Sequence, residues 1–178
     1  NFAGRGTLTN FPALVKFNTN DNFYAGFTSD DAHDLRFTES DGTTVLNYEI
    51  EKWDTSGESF VWVQVPELVN NCAIWAYWGN PGETVAPSYT MDGSTWSADY
   101  RVVQHMADTA GTSVADSSPD DRSSTIIGTG AWGATGGIGR ALQFTGDEHD
   151  RIELVAGRYV DLSGGEWTGS AWFKDLNG

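Results

Sequence analysis

The acidic residues around position 150 form the part of the sequence most suited to binding a metal ion. Asp147, Glu148 and Asp150 follow Thr145-Gly146, a pair typical of a turn, and Asp116 lies in another polar turn. Carboxylates clustered in a turn suit Ca²⁺, which accepts about six to eight loosely arranged oxygen ligands. The sequence therefore predicts a calcium site at Asp116, Asp147 and Asp150, and its alternative is a solvated acidic loop.

A second acidic segment, Asp30-Asp-Ala-His-Asp34, contains the histidine His33. No second histidine stands at a spacing typical of zinc ligands, so zinc is not predicted there. His105 alternates with Val103 in a strand-like run and is predicted to be structural.

Exposed aromatic side chains could stack on the faces of sugar rings, whereas buried ones build the core. The candidates for glycan binding lie in loop-like stretches: Trp132, Tyr159, Tyr89 and Trp96. Other tryptophans lie within strand patterns and are predicted to be core: Trp62, Trp75, Trp78 and Trp172. Trp132, alone among glycines, is the best platform by its isolation, and an inward apolar position is its alternative.

The single cysteine and the glycine-rich segment are weak evidence for a reactive thiol and a phosphate-binding loop. Cys72, the single cysteine, begins an apolar run and is predicted to be a buried, inert thiol. The glycine-rich segment 133–139 is followed by neither a lysine nor a helix pattern, so a phosphate-binding loop is rejected.

The elements that must position these residues are predicted to be strands. Leu46, Tyr48 and Ile50 alternate with polar residues, and Val61, Val63 and Val65 do the same. With the apolar run 72–78, these strands are predicted to form an antiparallel meander. Further strands are predicted at 12–17, 34–37, 100–106, 141–144, 151–155 and 170–174. The predicted core comprises Leu14, Phe37, Ile50, Val61 or Trp62, Ile74, Leu142, Phe144, Ile152 and Trp172.

These patterns predict an all-β chain with at least eight strands. Residues 80–98 carry Pro81, Gly82, Pro87 and Gly93 without a clear period, which indicates a boundary near residue 92. We therefore expect two domains, 1–92 and 93–178.

The charge balance narrows the class of partner. Among 178 residues, 25 are acidic and 10 are Lys or Arg, for a net charge of −15. Nucleic acid and anionic lipid are disfavoured because both are bound through basic side chains. The longest apolar run, 72–78, is too short to span a bilayer. Neutral sugars, cations such as calcium, or another protein remain as partners.

A series of motifs in the first half resembles the bacterial domain-of-unknown-function family 2341 and covers nearly all of residues 5–90. The motifs are Leu8-Thr-Asn-Phe-Pro-Ala-Leu-Val-Lys16, Asp34-Leu-Arg-Phe-Thr38, Ser40-Asp-Gly42, Tyr48-Glu-Ile-Glu-Lys-Trp53, Val61-Trp-Val-Gln-Val-Pro66 and Tyr77-Trp-Gly-Asn-Pro81. The usual Tyr-Tyr-Gly-Asn ending of that family is Tyr77-Trp-Gly-Asn80 here.

A second series resembles the front half of a laminin-G-like, concanavalin-type jelly roll. It comprises Val102 to Met106, Asp116-Ser-Ser118, Gly137-Ile-Gly-Arg-Ala-Leu-Gln-Phe-Thr-Gly146 and Trp167-Thr-Gly-Ser-Ala-Trp-Phe173. Such a module commonly follows family 2341 in exported bacterial proteins. The resemblance implies two β-sandwich-type domains, the second incomplete, in a chain cut from a longer protein. It also implies an extracellular, cell-surface or periplasmic location, with further strands or another subunit completing the second sandwich.

The segment Glu148-His-Asp-Arg-Ile-Glu153 also resembles the Glu-x-Asp-x-x-Glu motif of laminarinase-type polysaccharide hydrolases. That resemblance implies catalysis by Glu148, Asp150 and Glu153. The intervening His149 and Arg151 and the preceding turn argue against it. The sequence therefore favours a non-catalytic, exported module for glycan attachment or surface adhesion. The alternatives are a polysaccharide hydrolase and a structural stalk or periplasmic interaction module.

Overall fold

The chain divides into two compact units in the computed structural model, which describes residues 6–19, 23–154, 160 and 163–175. The first unit comprises Asn1–Val103 and Ser117–Asp121, and the second comprises Gln104–Asp116 and Arg122–Gly178. The domain boundary near residue 92 stays a prediction. Within the described ranges, no helix is both long and apolar enough to cross a membrane.

The first unit contains two antiparallel sheets. Its strands are β1 (Leu8–Phe17), β2 (Arg36–Glu39), β3 (Val45–Leu46), β4 (Tyr48–Lys52), β5 (Ser59–Leu68) and β6 (Ile74–Tyr77). The first sheet has the order β1-β5-β4, and the second has the order β3-β2-β6. Short 3₁₀ helices lie at Tyr24–Gly26 and Ser88–Thr90.

The core of the first unit lies between these two sheets. Phe37 and Leu46 of the second sheet and Tyr48, Val61 and Val63 of the first belong to one buried cluster. The alternation read from the sequence is confirmed here, because in a strand every second side chain points to the same face. Two sheets that bury their facing sides against each other make this unit a β-sandwich.

The second unit is also built from antiparallel strands. They are β7 (Ser113–Val114), β8 (Ser124–Ile127), β9 (Gly130–Thr135), β10 (Arg140–Phe144) and β11 (Arg151–Leu154). They form one sheet of order β11-β8-β7 and a pair β10-β9. Val114 and Ile126 are buried, whereas the predicted core residues Leu142, Phe144 and Ile152 are half-buried. The expectation of an all-β chain with at least eight strands is confirmed.

The predicted meander is wrong at its third strand. β4 pairs with β5 as expected, but β6 pairs with β2 in the other sheet. The segment 72–78 is shorter as a strand than predicted, and Cys72, expected to be buried, lies before β6 and is exposed. Strands expected at 100–106 and 170–174 are absent from these described segments.

Several residues expected in the core are on the surface. Leu14 is exposed on the outer face of β1, because Val15 is paired with the buried Val61. Adjacent apolar residues leave the phase of a strand open, and only the register decides which one is buried. The predicted core tryptophans Trp75, Trp78 and Trp172 are also exposed.

Candidate functional site

The outer face of β6 carries two large exposed aromatic side chains. Trp75 is 54% exposed and Tyr77 is 48% exposed. Between them, Ala76 packs against the core, as does the preceding Ile74. Because side chains two residues apart share a face of a strand, Trp75 and Tyr77 project from the same side of the second sheet.

Neighbouring strands extend this surface sideways. Thr38 on β2 lies opposite both Trp75 on β6 and Val45 on β3. Val45 is 56% exposed, whereas Thr38, between its two neighbours, is almost completely covered. We call the surface formed by Thr38, Val45, Trp75 and Tyr77 the aromatic face.

The turn that follows β2 lies against the edges of both rings of the aromatic face and binds that of Trp75. The indole Nε1 of Trp75 donates a hydrogen bond to the carbonyl of Ser40 at 3.2 Å. A Cβ on Gly42 would lie 3.2 Å from the Tyr77 hydroxyl oxygen, so this hydroxyl lies directly over Gly42. Gly42 has a φ of +72°, a conformation that glycine adopts without strain. Glycine suits this position because its φ is positive and because a Cβ would lie close to the Tyr77 hydroxyl.

Asp41 fastens the same turn. Its carboxylate accepts hydrogen bonds from the hydroxyl of Thr44 and from the backbone N–H groups of Thr43 and Thr44. These bonds, led by the Thr44 hydroxyl, lower the pKa of Asp41 well below its usual value. Because the Asp41 side chain bonds to Thr43 and Thr44 within the turn, it stabilises the turn that lies beside the aromatic face.

A charged pair stands at the Tyr77 end of the face. Arg36, which lies opposite Tyr77, forms an ion pair with Glu83 at 2.5 Å. The same guanidinium donates to the carbonyl oxygens of His33 and Leu35. A flat aromatic surface with fixed polar groups at its rim can stack on the C–H faces of sugar rings and orient them by hydrogen bonds.

A second aromatic group lies elsewhere in the first unit, and we call it the aromatic cluster. It consists of Phe17, Phe23, Tyr24, Phe27, Trp53 and Trp78. Phe23 stacks on Phe17 with 4.1 Å between ring centroids, and Phe27 stacks on Trp78 at 5.6 Å. The rings of this cluster pack against one another and are half-buried, apart from the 37% exposed Trp78, so they offer less open surface to a ligand than Trp75 and Tyr77.

Buried Asp34 supports the segments that carry the aromatic cluster. Its Oδ2 accepts hydrogen bonds from the N–H of Thr28 at 3.1 Å, the hydroxyl of Thr28 at 2.9 Å and the N–H of Gly79 at 2.7 Å. Thr28 follows Phe27, and Gly79 follows Trp78. Burial acts to raise the pKa of Asp34, but these donors outweigh it and the pKa is lowered. The acidic segment 30–34 thus contributes a structural carboxylate.

The aromatic residues singled out from the sequence lie in different environments. Trp96, expected in an exposed loop, is 6% exposed and donates its indole N–H to Glu49 at 2.6 Å. Tyr89 is half-buried against Tyr48, and burial raises the pKa of its hydroxyl. Trp132 is half-buried on β9, with its indole N–H donated to the carbonyl of Gly111. Tyr159 lies outside the described residues.

The carboxylates predicted to bind calcium are engaged with backbone donors. Asp150 accepts hydrogen bonds from the N–H groups of Thr129, Thr145 and Asp147 and from the Thr145 hydroxyl. These donors, led by the N–H of Thr129, lower the pKa of Asp150. Asp116 accepts a hydrogen bond from the N–H of Arg122, and Asp147 accepts one from the N–H of His149. Over the described part of the chain, no group of three or more His, Cys, Asp or Glu side chains is arranged to hold a metal ion.

The three carboxylates of the hydrolase motif do not share a strand. Glu148 lies in the turn before β11, whereas Glu153 lies on β11. Glu153 forms an ion pair with Arg151 at 3.0 Å, and both side chains are more than half exposed. The two glutamates thus lie on different elements, and their side chains are 87% and 56% exposed.

Trp75 and Tyr77 were missed because Ile74-Trp-Ala-Tyr77 reads as a continuous apolar run. Such a run is typical of a strand buried on both faces. A signal was nevertheless present, since the two aliphatic residues alternate with the two aromatic ones. That alternation separates a core face from an aromatic outer face.

Comparison with known proteins identifies one part of the chain. Residues 31–118 match the family described as a domain of unknown function (DUF2341). This match confirms the first resemblance read from the sequence, although its range begins later and continues beyond residue 92. The aromatic face lies within the matched range. No curated protein and no solved structure matches the chain.

Proposed function

We propose that this chain is a non-catalytic binding module that holds an uncharged glycan on the aromatic face of its first unit. The observation that carries the proposal is that two exposed aromatic rings, Trp75 and Tyr77, project from one face of a sheet, with the indole N–H of Trp75 hydrogen-bonded at its edge. A ring already held in place loses little conformational entropy when a ligand stacks on it.

The spacing of the rings supports an extended ligand. Residues two apart on a strand are separated by roughly 6.6 Å along the chain. Trp75 and Tyr77 can therefore contact successive parts of one oligosaccharide instead of a single small molecule. The excess of acidic residues in the chain, 25 against 10 basic ones, favours an uncharged sugar over an anionic one.

The wider context of the proposal comes from the two resemblances. We propose that the second unit is the front part of a laminin-G-like jelly roll and that the protein acts outside the cytoplasm, at the cell surface or in the periplasm. Attachment to a glycan or surface protein suits that setting. Calcium at Asp116, Asp147 and Asp150 stays a prediction, and it competes with the backbone donors for the Asp150 oxygens.

The hydrolase alternative has less support. Glu148 and Glu153 lie on different elements, and the oxygens of Asp150 already accept four hydrogen bonds. A structural or protein-interaction role would use the same exposed surface without sugar, and binding measurements separate it from the proposal.

A glycan array tests the proposal with matched variants. The wild-type chain is expected to retain uncharged oligosaccharides, and Trp75→Ala and Tyr77→Ala should each weaken retention by about tenfold or more, as for central aromatic contacts. Trp75→Phe should retain most of the binding because it keeps a ring. Trp132→Ala is the control, since it removes a tryptophan of the second unit.

Two results would overturn the proposal. One is a wild-type chain that retains no glycan. The other is binding that survives both Trp75→Ala and Tyr77→Ala but is lost in Trp132→Ala, which would move the site to the second unit.

A further inference from the structure

A cleft of about 580 Å³ lies at one end of the sandwich in the first unit. Strand β5 of the first sheet, strands β2 and β6 of the second, and the turn before β6 all contribute to its walls. Residues that line it include Glu39, Val65, Glu67, Val69, Cys72 and Ile74. A volume of this size accommodates a short segment of another molecule.

Two glutamates from different sheets line the cleft. Glu67 continues the inward-facing positions of Val63 and Val65 along β5, but it lies beyond the core and is exposed. Glu39 stands two residues after the buried Phe37 on β2 and lies opposite Ile74. Within the described parts of the chain, neither carboxylate has a hydrogen-bond or ion-pair partner.

The remaining lining of the cleft is mixed: aliphatic side chains, among them Val65, Val69 and Ile74, alternate with the polar residues Ser40 and Asn71. Val65 and Ile74 are buried and half-buried, and Val69 is 39% exposed. None of the described residues that line the cleft is aromatic, so these residues offer no stacking surface for sugar. Aliphatic side chains beside two unpaired carboxylates match a side chain with an apolar stem and a cationic end.

We propose that this cleft binds a lysine- or arginine-bearing segment of another protein. The stem of the basic side chain packs on Val65, Val69 and Ile74, and its cationic end donates charge-assisted hydrogen bonds to Glu39 and Glu67. This interaction is separate from glycan binding, because the aromatic face lies on the outer side of the second sheet and the cleft lies on the inner side.

The basic groups of the first unit that the structure describes are paired with carboxylates outside the cleft. Lys16 pairs with Glu58, Arg36 pairs with Glu83 and Lys52 pairs with Asp54. A metal ion fits the cleft less well, because Glu39, Glu67 and Cys72 are not arranged as a metal site: among the described residues, no three His, Cys, Asp or Glu side chains are grouped to hold an ion. Charge complementarity therefore favours a basic protein segment.

Cys72 provides a direct measure of occupancy. It is the single cysteine of the chain, is exposed, and lines the cleft. Its alkylation by iodoacetamide should slow in proportion to occupancy, about tenfold when a ligand is present at ten times its Kd. The probe is the acetylated and amidated pentapeptide Ala-Leu-Lys-Leu-Ala at low salt, where exposed charges are least screened.

Two controls isolate the role of the charge. The same peptide with an acetylated lysine keeps the stem but loses the cation, and it should give no protection. The double variant Glu39→Gln with Glu67→Gln should weaken peptide binding by about tenfold or more, as expected for loss of charge-assisted bonds. The double variant Glu58→Gln with Glu153→Gln changes the net charge equally at exposed sites outside the cleft and should bind as wild type.

Each contrary outcome overturns the proposal. Unchanged alkylation of wild type at millimolar peptide would show that the cleft does not take this ligand. Equal protection by the acetylated peptide would show that the carboxylates play no part. Equal loss of binding in both double variants would assign the effect to overall charge instead of the cleft.

Discussion

The aromatic face and the aromatic cluster of the first unit contain the same types of residue, but the face exposes its rings to solvent and the cluster packs its rings against each other. In the cluster, Phe23 and Phe17 stack on each other, and Phe27 stacks on Trp78. On the aromatic face, Trp75 and Tyr77 keep about half of their surfaces exposed, and the indole N–H of Trp75 is hydrogen-bonded at the edge of its ring. The comparison shows that the number of aromatic residues does not by itself indicate a binding site. A ligand can stack only on a ring whose surface is left uncovered by the rest of the protein.

Paired tryptophan substitutions should separate the two regions most strongly. Trp53→Ala removes a ring that contacts Tyr24 and Phe27 in the cluster and should lower the free energy of unfolding by about 3 kcal/mol. Trp75→Ala removes an exposed ring and should lower it by only about 0.5 kcal/mol. Urea denaturation of both variants measures the difference. Equal losses would show that Trp75 is part of the packing and that the comparison fails.

Removing the carboxylate beneath the cluster should have the next largest effect. Asp34→Ala deletes the acceptor of three hydrogen bonds from Thr28 and Gly79 and should cost about 2–3 kcal/mol of stability. Asp34→Asn keeps one acceptor oxygen and should cost less. Asp30→Ala, at an exposed position of the same segment, is the control. A melting temperature of Asp34→Ala equal to that of the control would contradict this role.

The contribution of Asp34 should also depend on pH. The pKa of Asp34 is lowered in the folded chain. The stability that this carboxylate contributes is therefore fully present when the pH is above the pKa of an unfolded aspartate, about 3.9. It is lost as the pH falls through the lower folded value. The stability gap between wild type and Asp34→Asn should therefore narrow from pH 7 to pH 3 in urea denaturation. A gap that widens on acidification would reverse the assigned direction of the pKa shift.

Calcium extends the comparison to the second unit and should have the smallest effect. The oxygens of Asp150 already accept four hydrogen bonds from the chain itself. Like the rings of the aromatic cluster, they are already in contact with other groups of the protein. We therefore expect millimolar CaCl₂ to raise the melting temperature above that in EDTA by less than about 2 °C. MgCl₂ controls for screening. A clearly larger rise in CaCl₂ than in MgCl₂ would establish the calcium site predicted at Asp116, Asp147 and Asp150.

Predictions based on alternation succeeded where the pattern was local. The inward faces of β4 and β5 followed from single alternations, and Tyr48, Val61 and Val63 are buried as expected. Leu14 failed because it stands next to Val15, and two adjacent apolar residues do not define a phase. The candidate sites depended on exposure, which alternation alone does not supply, so buried Trp96 was chosen and Trp75 was not.

The sequence by itself determined that this chain is all-β, acidic and rich in aromatic residues, because composition and period-two patterns are properties of neighbouring residues. Only the tertiary structure decided that β6 pairs with β2 instead of β5, since strand pairing joins residues far apart in the chain. That pairing turned Trp75 and Tyr77 outward and brought Glu39 and Glu67 into one cleft. The alternation in β6 marks an aliphatic and an aromatic side, but which side stays uncovered, and which residues meet in the cleft, depends on how the two sheets pack against each other.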